Sequence, residues 1–172
     1  MSFIEISPLE IKENPFKLIG KDWALLCAGT AKDYNMMTVS WGQTGVLWGV
    51  NTVTAFVRPF RHTKKFIDEN GFFTLSFFEE KSRDALSLCG SKSGRDIDKK
   101  NIEGLTAVEN EGAVYFKEAK LVLVCKKLYA DELKENKFLY PETAKTFYPK
   151  KDFHTFYIGE IVKALVPGSY PG

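Results

Sequence analysis

Cysteine and histidine are scarce in this chain of 172 residues, which has three of the first and two of the second. Cys27, Cys89 and Cys125 are too scattered for a disulfide framework, and their spacing fits no zinc pattern. No metal centre is expected, and the thiols read as reduced core residues of a cytoplasmic protein. Cys89 is the one to watch, because Lys92 and Arg95 follow it and could activate a thiol. An excess of one charge is also lacking: 24 Lys and Arg face 22 Asp and Glu, spread along the chain. That balance argues against a nucleic-acid partner, so any bound anion is expected to be small. MSFIEISPLE has no basic segment followed by an apolar core, and no apolar run approaches the ~18 residues of a membrane span. Neither targeting nor membrane contact is expected. HExxH, GxSxG, GxGxxG and the Walker loop are all missing, so hydrolytic chemistry and the common nucleotide folds have no support.

Aromatic residues, by contrast, are plentiful. Fourteen Phe, seven Tyr and three Trp exceed what packing needs, and some rings are expected to face a flat ligand or a second subunit. No repeat or linker divides the chain, so residues 1–172 read as one domain.

The segment SPLEIKENPFKLI, with Pro8 and Pro15, is expected to lay Leu9, Phe16, Leu18 and Ile19 on the core. Short strand-like runs follow: WALLCAGT from Trp23, the alternating NMMTVSWG from Asn35, NTVTAFVR from Asn51 and FFTLSFF from Phe72. GQTGVLWG reads as a glycine-punctuated connection. A short helix is expected from Arg61 to Asn70, and a second over EEKSRDALSLC with Gly90 just past its end. A third is expected to start at Asp96 as N-cap. AVYFKEAKLVLVCKKLYA supplies one bent strand or two, and FHTFYIGEIVKALV another. Strands outnumber helices about two to one, which predicts a mainly β, closed or partly closed antiparallel barrel with peripheral helices.

Two segments have the chemistry of anion sites. In GSKSG, Gly90–Gly94, the glycines let successive N–H groups point to one centre, while Ser91, Lys92 and Ser93 add donors suited to phosphate. A plain solvated turn between helices accounts for the same residues. In VRPFRHT, Arg58 and Arg61 flank a helix start and Thr63 sits in its first turn, an arrangement that suits a dianionic phosphate. Arg58 paired with an acid and Thr63 as a cap are the alternatives. Two such segments in one small domain could clamp the same phosphate. On NMMTVSWG, Thr38 and Ser40 could hydrogen-bond a flat heterocycle walled by Trp41 or the methionines, or that face could simply be wet. His62 lies in a basic stretch and is expected at the surface. His154, near Asp152, could donate to a ligand or relay a proton, or be a surface residue at a strand start.

With these residues assembled, the sequence resembles the flavin reductase-like family with an FMN-binding split β-barrel, and within it the flavoredoxin-like branch. The likeness rests on NMMTVSWG with GVLWG, FVRPFRHTKKFI, FFTLSFF, LCGSKSGRDIDK and HTFYIGEIV, in that order, from about Trp23 to Val162. It implies a Greek-key-like split barrel and a homodimer with noncovalent FMN near the subunit interface, FAD being a possible substitute. Asn35, Thr38, Ser40, Trp41 and Gly42 would face the isoalloxazine and ribityl parts. Arg58, Arg61 and Thr63 would grip the phosphate together with Ser91, Lys92 and Ser93. His154 would lie by the ring edge, the one candidate for a catalytic role. The implied activity is FMN-dependent oxidoreduction, with NAD(P)H as donor or with electrons passed to a redox partner protein or a flavin-dependent monooxygenase. A flavin carrier without turnover is the alternative; haem or pyridoxal phosphate on a related barrel is a weaker one. Many flavin reductases of two-component monooxygenases carry Gly-Asp-His before the last strand, associated with nicotinamide binding. This chain has Lys151-Asp152-Phe153-His154 there, which weakens the expectation of efficient NAD(P)H oxidation.

Overall fold

A computed structural model describes residues 2–170. Its strands are β1 (Phe3–Ile6), β2 (Ala24–Gly29), β3 (Tyr34–Val39), β4 (Gly42–Leu47), β5 (Val50–Val57), β6 (Phe72–Phe77), β7 (Ala107–Asn110), β8 (Ala113–Phe116), β9 (Leu121–Glu132) and β10 (Thr155–Pro167). Short helices α1 (Pro15–Lys17), α2 (Thr63–Glu69), α3 (Arg83–Ser91) and α4 (Pro141–Phe147) lie between them.

The main sheet is antiparallel, ordered β3-β2-β6-β9-β10-β5-β4, with β1 added to β10. β3 and β4 stand at opposite ends of that order, yet only Ser40 and Trp41 separate them in the chain. A flat sheet of this order would hold its edges about 29 Å apart at ~4.8 Å per strand. The link between them reaches only about 10 Å. The sheet must therefore roll until its edges meet, which makes a barrel with a seam at Ser40–Trp41.

The roll encloses one core, including Leu26, Met37, Val53, Phe73, Leu75, Leu123 and Tyr157, all at most 5% exposed. A second cluster on the outer face packs Leu25, Cys27, Met36, Leu86, Cys89 and Phe116 beneath α3 and the β7–β8 hairpin. β2 and β3 are thus covered on both sides, which is why ALLCA is a continuous apolar run and why Met36 and Met37 are both buried. No helix among the described residues is long and apolar enough to cross a membrane.

Several local expectations are corrected. GQTGVLWG is not a connection: Gly42–Leu47 forms β4, in register with β5 from Gly42 opposite Ala55 to Leu47 opposite Val50. Trp48 and Gly49 make the turn with φ of 54° and 78°, the two positive angles that match strand twist in a tight hairpin. The helix expected from Asp96 reduces to a single turn, Lys99–Asn101, capped by Asp98. Lys99 is drawn inward there to donate to Met36 O at 2.9 Å and Cys89 O at 2.8 Å. In the lead-in, Leu18 and Ile19 are buried as expected, but Leu9 and Phe16 are 82% and 86% exposed. α3 runs through Gly90 to Ser91 instead of stopping at Cys89. β1, β7 and α4 were not expected from the sequence.

Candidate functional site

The seam of the barrel opens into a cleft of about 330 Å³ lined by Met37, Thr38, Val39, Ser40, Trp41, Phe56, Arg58, Phe60, Arg61 and His154. Strand alternation explains the set from β5: Val53, Ala55 and Val57 point into the core, which turns Phe56 outward to the cleft. A recess of about 450 Å³ adjoins it, sharing Ser40, Trp41 and Phe56 and adding Gly42, Gln43, Ile19 and Phe16. Trp41 stands between the two, 43% exposed.

His154 is not the surface residue that a strand start favours. It is 7% exposed, with the Trp41 ring at 5.2 Å, the Phe56 ring at 6.2 Å and the Tyr148 hydroxyl 2.8 Å from Nδ1. Burial, reinforced by the Arg58 charge, lowers its pKa to about 4 against a weaker opposing pull from Asp152. The imidazole is neutral at neutral pH. Arg58 is held by Asp152 Oδ2 at 2.5 Å and by Phe147 O at 3.0 Å, and its guanidinium lies over the Tyr148 ring. Pairing with an acid is therefore what Arg58 does in the fold. Partial desolvation works against the Asp152 anion, but the hydrogen bond from Arg58 wins and holds its carboxyl below the usual range.

Arg61 links the two segments that the sequence marks as anion-suited. Arg61 lines the cleft, and its guanidinium donates to Gly90 O at 2.7 Å and Cys89 O at 3.4 Å, at the carbonyl end of α3. The partial negative charge of that helix end is complemented by the cation. Arg95 returns the link by donating to Phe60 O at 3.0 Å. Gly94 packs so closely that a β-carbon there would lie 2.2 Å from Asn35 Oδ1. Asn35 in turn donates to Thr63 Oγ1 at 2.7 Å, and both side chains are buried. The 58–63 and 89–95 segments are one laced unit.

Of the residues singled out from sequence, Thr38, Ser40, Trp41, Arg58, Arg61 and His154 share the cleft, and Gly42 lies in the adjoining recess. Thr38 Oγ1 donates to Leu86 O, so toward the cleft it is left as an acceptor. Asn35 and Thr63 form a buried brace behind the cleft. Ser91 Oγ donates to Ser87 O at 2.9 Å, and Ser93 Oγ accepts from Arg95 N at 3.1 Å. Lys92 is exposed at the end of α3, its N–H bonded to Leu88 O. Cys89 is fully buried, and burial pushes its thiol up to about 11 despite Lys99 and Arg61 nearby, so it is not an activated nucleophile. His62 is half-buried against Phe66 instead of lying free in solvent. Sequence reasoning missed Tyr148 and Phe147, which no spacing pattern ties to His154 and Trp41. Phe56 was legible in the period of β5.

The model of the flavin reductase-like domain matches residues 18–171. The chain belongs to the flavin reductase-like family. Comparison with curated proteins by sequence gives no match. Among solved structures it is similar to the flavoredoxin of Methanosarcina acetivorans, with 23% identity and a TM-score of 0.68 over 94% of this chain and 77% of that one. The flavoredoxin of Desulfovibrio vulgaris (Miyazaki F) gives 20% identity and a TM-score of 0.67 over 96% of this chain and 78% of that one. The flavin reductase of the styrene monooxygenase from Pseudomonas putida S12 gives 16% and 0.63 over 86% and 80%. At these identities the likeness is one of fold: the split antiparallel barrel with peripheral helices expected from the sequence is the fold that this family member shares with them.

Proposed function

We propose that the seam cleft holds FMN and that the protein is a noncovalent flavoprotein oxidoreductase. The observation that carries this reading is the joining of an aromatic, partly polar cleft to an arginine-laced phosphate-type loop by Arg61 itself. The cleft and its recess, about 330 and 450 Å³, have the size of a small-molecule site, typically ~300–1,000 Å³. Their chemistry fits the group: Trp41, Phe56, Met37 and Val39 offer apolar walls, Ser40 and Thr38 polar contacts, and Arg61 a cation at the rim. When bound, FMN would supply hydride and single-electron transfer at its ring N5. Ser40, Trp41 and Gly42 would orient the ring along β3 and β4. Arg61, with Lys92, Ser91 and Ser93 from the loop, would face the phosphate. Arg58, held by Asp152 and Phe147, would contribute through its field and its remaining N–H groups. FAD is accommodated only if its adenylate extends past the loop into solvent.

The electron donor is NADH, NADPH or a reduced protein, and the acceptor a redox protein or a flavin-dependent monooxygenase. A homodimer is part of this reading. Val46 and Trp48, 71% and 61% exposed on the β4–β5 hairpin, are apolar surface that a second copy would cover. Free, buried cysteines suit a reducing cytoplasm. The visible spectrum of the purified protein, followed by titration with FMN, is the first test. A colourless protein that ignores micromolar FMN would falsify the reading. Mixing the flavin-loaded protein with NADH or NADPH under argon then separates an oxidoreductase using nicotinamides, which bleaches, from a carrier or a protein-driven electron transferase, which does not.

A further inference from the structure

We infer that Tyr148 is a positioning residue that fixes His154 as its Nε2–H tautomer, so that the cleft meets a neutral hydrogen-bond donor instead of a base or a cation.

The ring of His154 is clamped from three sides by Trp41, Phe56 and Tyr148, with centroids 5.2, 6.2 and 5.5 Å away. Its Nδ1 lies 2.8 Å from the Tyr148 oxygen. Tyr148 is 6% exposed, and its hydroxyl has no other partner among the described residues. If Nδ1 carried the proton and donated, the tyrosine hydrogen would be left buried without an acceptor, a cost of about 1–3 kcal/mol. If Tyr148 donates, both groups are satisfied and the imidazole hydrogen is forced onto Nε2. Among the described residues Nε2 has no hydrogen-bond partner. It is not sealed either, because the sealed, unpartnered side-chain polar atoms among the described residues are Ser76 Oγ and Thr155 Oγ1. The open fraction of His154 therefore includes Nε2, at the cleft that the residue lines.

The groups that face the imbedded ring are Arg58 and Asp152, paired with each other, and Tyr148 itself. Neither member of the ion pair hydrogen-bonds the imidazole, so the tautomer is set by the phenol. What the donor receives is an acceptor: a carbonyl oxygen, an unprotonated ring nitrogen or an anionic oxygen. The inference deepens the flavin reading and rests on it only for the identity of that acceptor.

The test uses ¹⁵N-histidine-labelled protein stripped of any bound flavin, read by long-range ¹H–¹⁵N correlation. His62 is the other histidine, and His62→Gln assigns the signals. His154 is expected as pure Nε2–H from about pH 6 to about pH 8. An Nδ1–H pattern, or a cationic ring in that range, overturns the inference. In Tyr148→Phe both tautomers should become populated, and an unchanged pure Nε2–H pattern overturns the role of Tyr148. Should that variant not fold, 3-fluorotyrosine incorporation decides, since a more acidic phenol donates more strongly and shifts Nδ1 further from its free-acceptor position. A Nδ1 signal that does not move counts against the proposal. Because no flavin is present, this result and the failure or success of flavin binding are independent.

Discussion

Arg61 donates to the Gly90 carbonyl across 2.7 Å, and that bond joins the start of α2 to the end of α3. The same guanidinium therefore has two tasks, tying the fold and charging the rim of the cleft. Burial opposes its charge, while two carbonyls and the α3 helix end favour it.

Arg61→Ala is expected to lose both stability and affinity. Two carbonyls are stripped of a charged donor, which costs about 1.5–3 kcal/mol, and a shift of ~2–4 °C per kcal/mol follows for a chain of this size. FMN binding should weaken as well, and riboflavin binding less. A thermal scan beside paired FMN and riboflavin titrations checks this. An unchanged melting temperature would show that the Gly90 bond carries no weight.

Lys92→Ala isolates the ligand effect. Its side chain is exposed and forms no salt bridge among the described residues. Stability should stay within about 0.5 kcal/mol, while FMN affinity falls by about 1.5–3 kcal/mol and riboflavin affinity hardly changes. Equal weakening of both ligands would mean that the loop is no phosphate clamp.

The strands were legible because their residues carry the pattern of their burial. Alternation in NTVTAFVR and the unbroken apolar run of ALLCA correspond to one covered face and two. The β4 hairpin was hidden because three glycines in GQTGVLWG imitate a loop, while its register is imposed by β5 across the sheet. Leu9 and Phe16 look like core residues by type, but the roll of the barrel leaves them outside. The cleft lining was legible where chemistry is local, as in Arg58 and Arg61. It was illegible where it depends on return of the chain, as in the contact of Tyr148 with His154 or of Asp152 with Arg58. No spacing rule encodes those pairings.

Acid should weaken the fold through His154 before the carboxylates act. Its pKa is about 4 when folded and 6.5 in an ordinary setting, so between those values the unfolded chain binds a proton that the native state refuses. Stability is then complete above about pH 6.5 and is lost as pH falls toward about 4, by on the order of 2–3 kcal/mol. Asp22, Asp68 and Asp152, all depressed below 3.8, add their losses only at lower pH. Urea midpoints measured from pH 7 to pH 4 should slope in the wild type and slope less in His154→Gln, the remainder coming from His62, whose pKa is also lowered by burial and by the charges of Arg95, Lys65 and Lys99. Parallel slopes would place the titrating group elsewhere.

Gly94 tests whether the phosphate-type loop and the cleft are mechanically one unit. A β-carbon there would sit 2.2 Å from Asn35 Oδ1 and 3.0 Å from His62 Cδ2. Asn35 cannot retreat cheaply, because it is buried and bound to Thr63 at 2.7 Å. Gly94→Ala must therefore either break that brace or push the loop outward. The first outcome costs about 1–3 kcal/mol of stability. The second leaves stability nearly intact but moves Ser93 and Lys92 away from Arg61, so FMN weakens while riboflavin does not. Denaturant unfolding with both titrations distinguishes the two, and a variant unaltered in all three measurements would show that the loop moves independently of Asn35 and that the lacing does not hold the site.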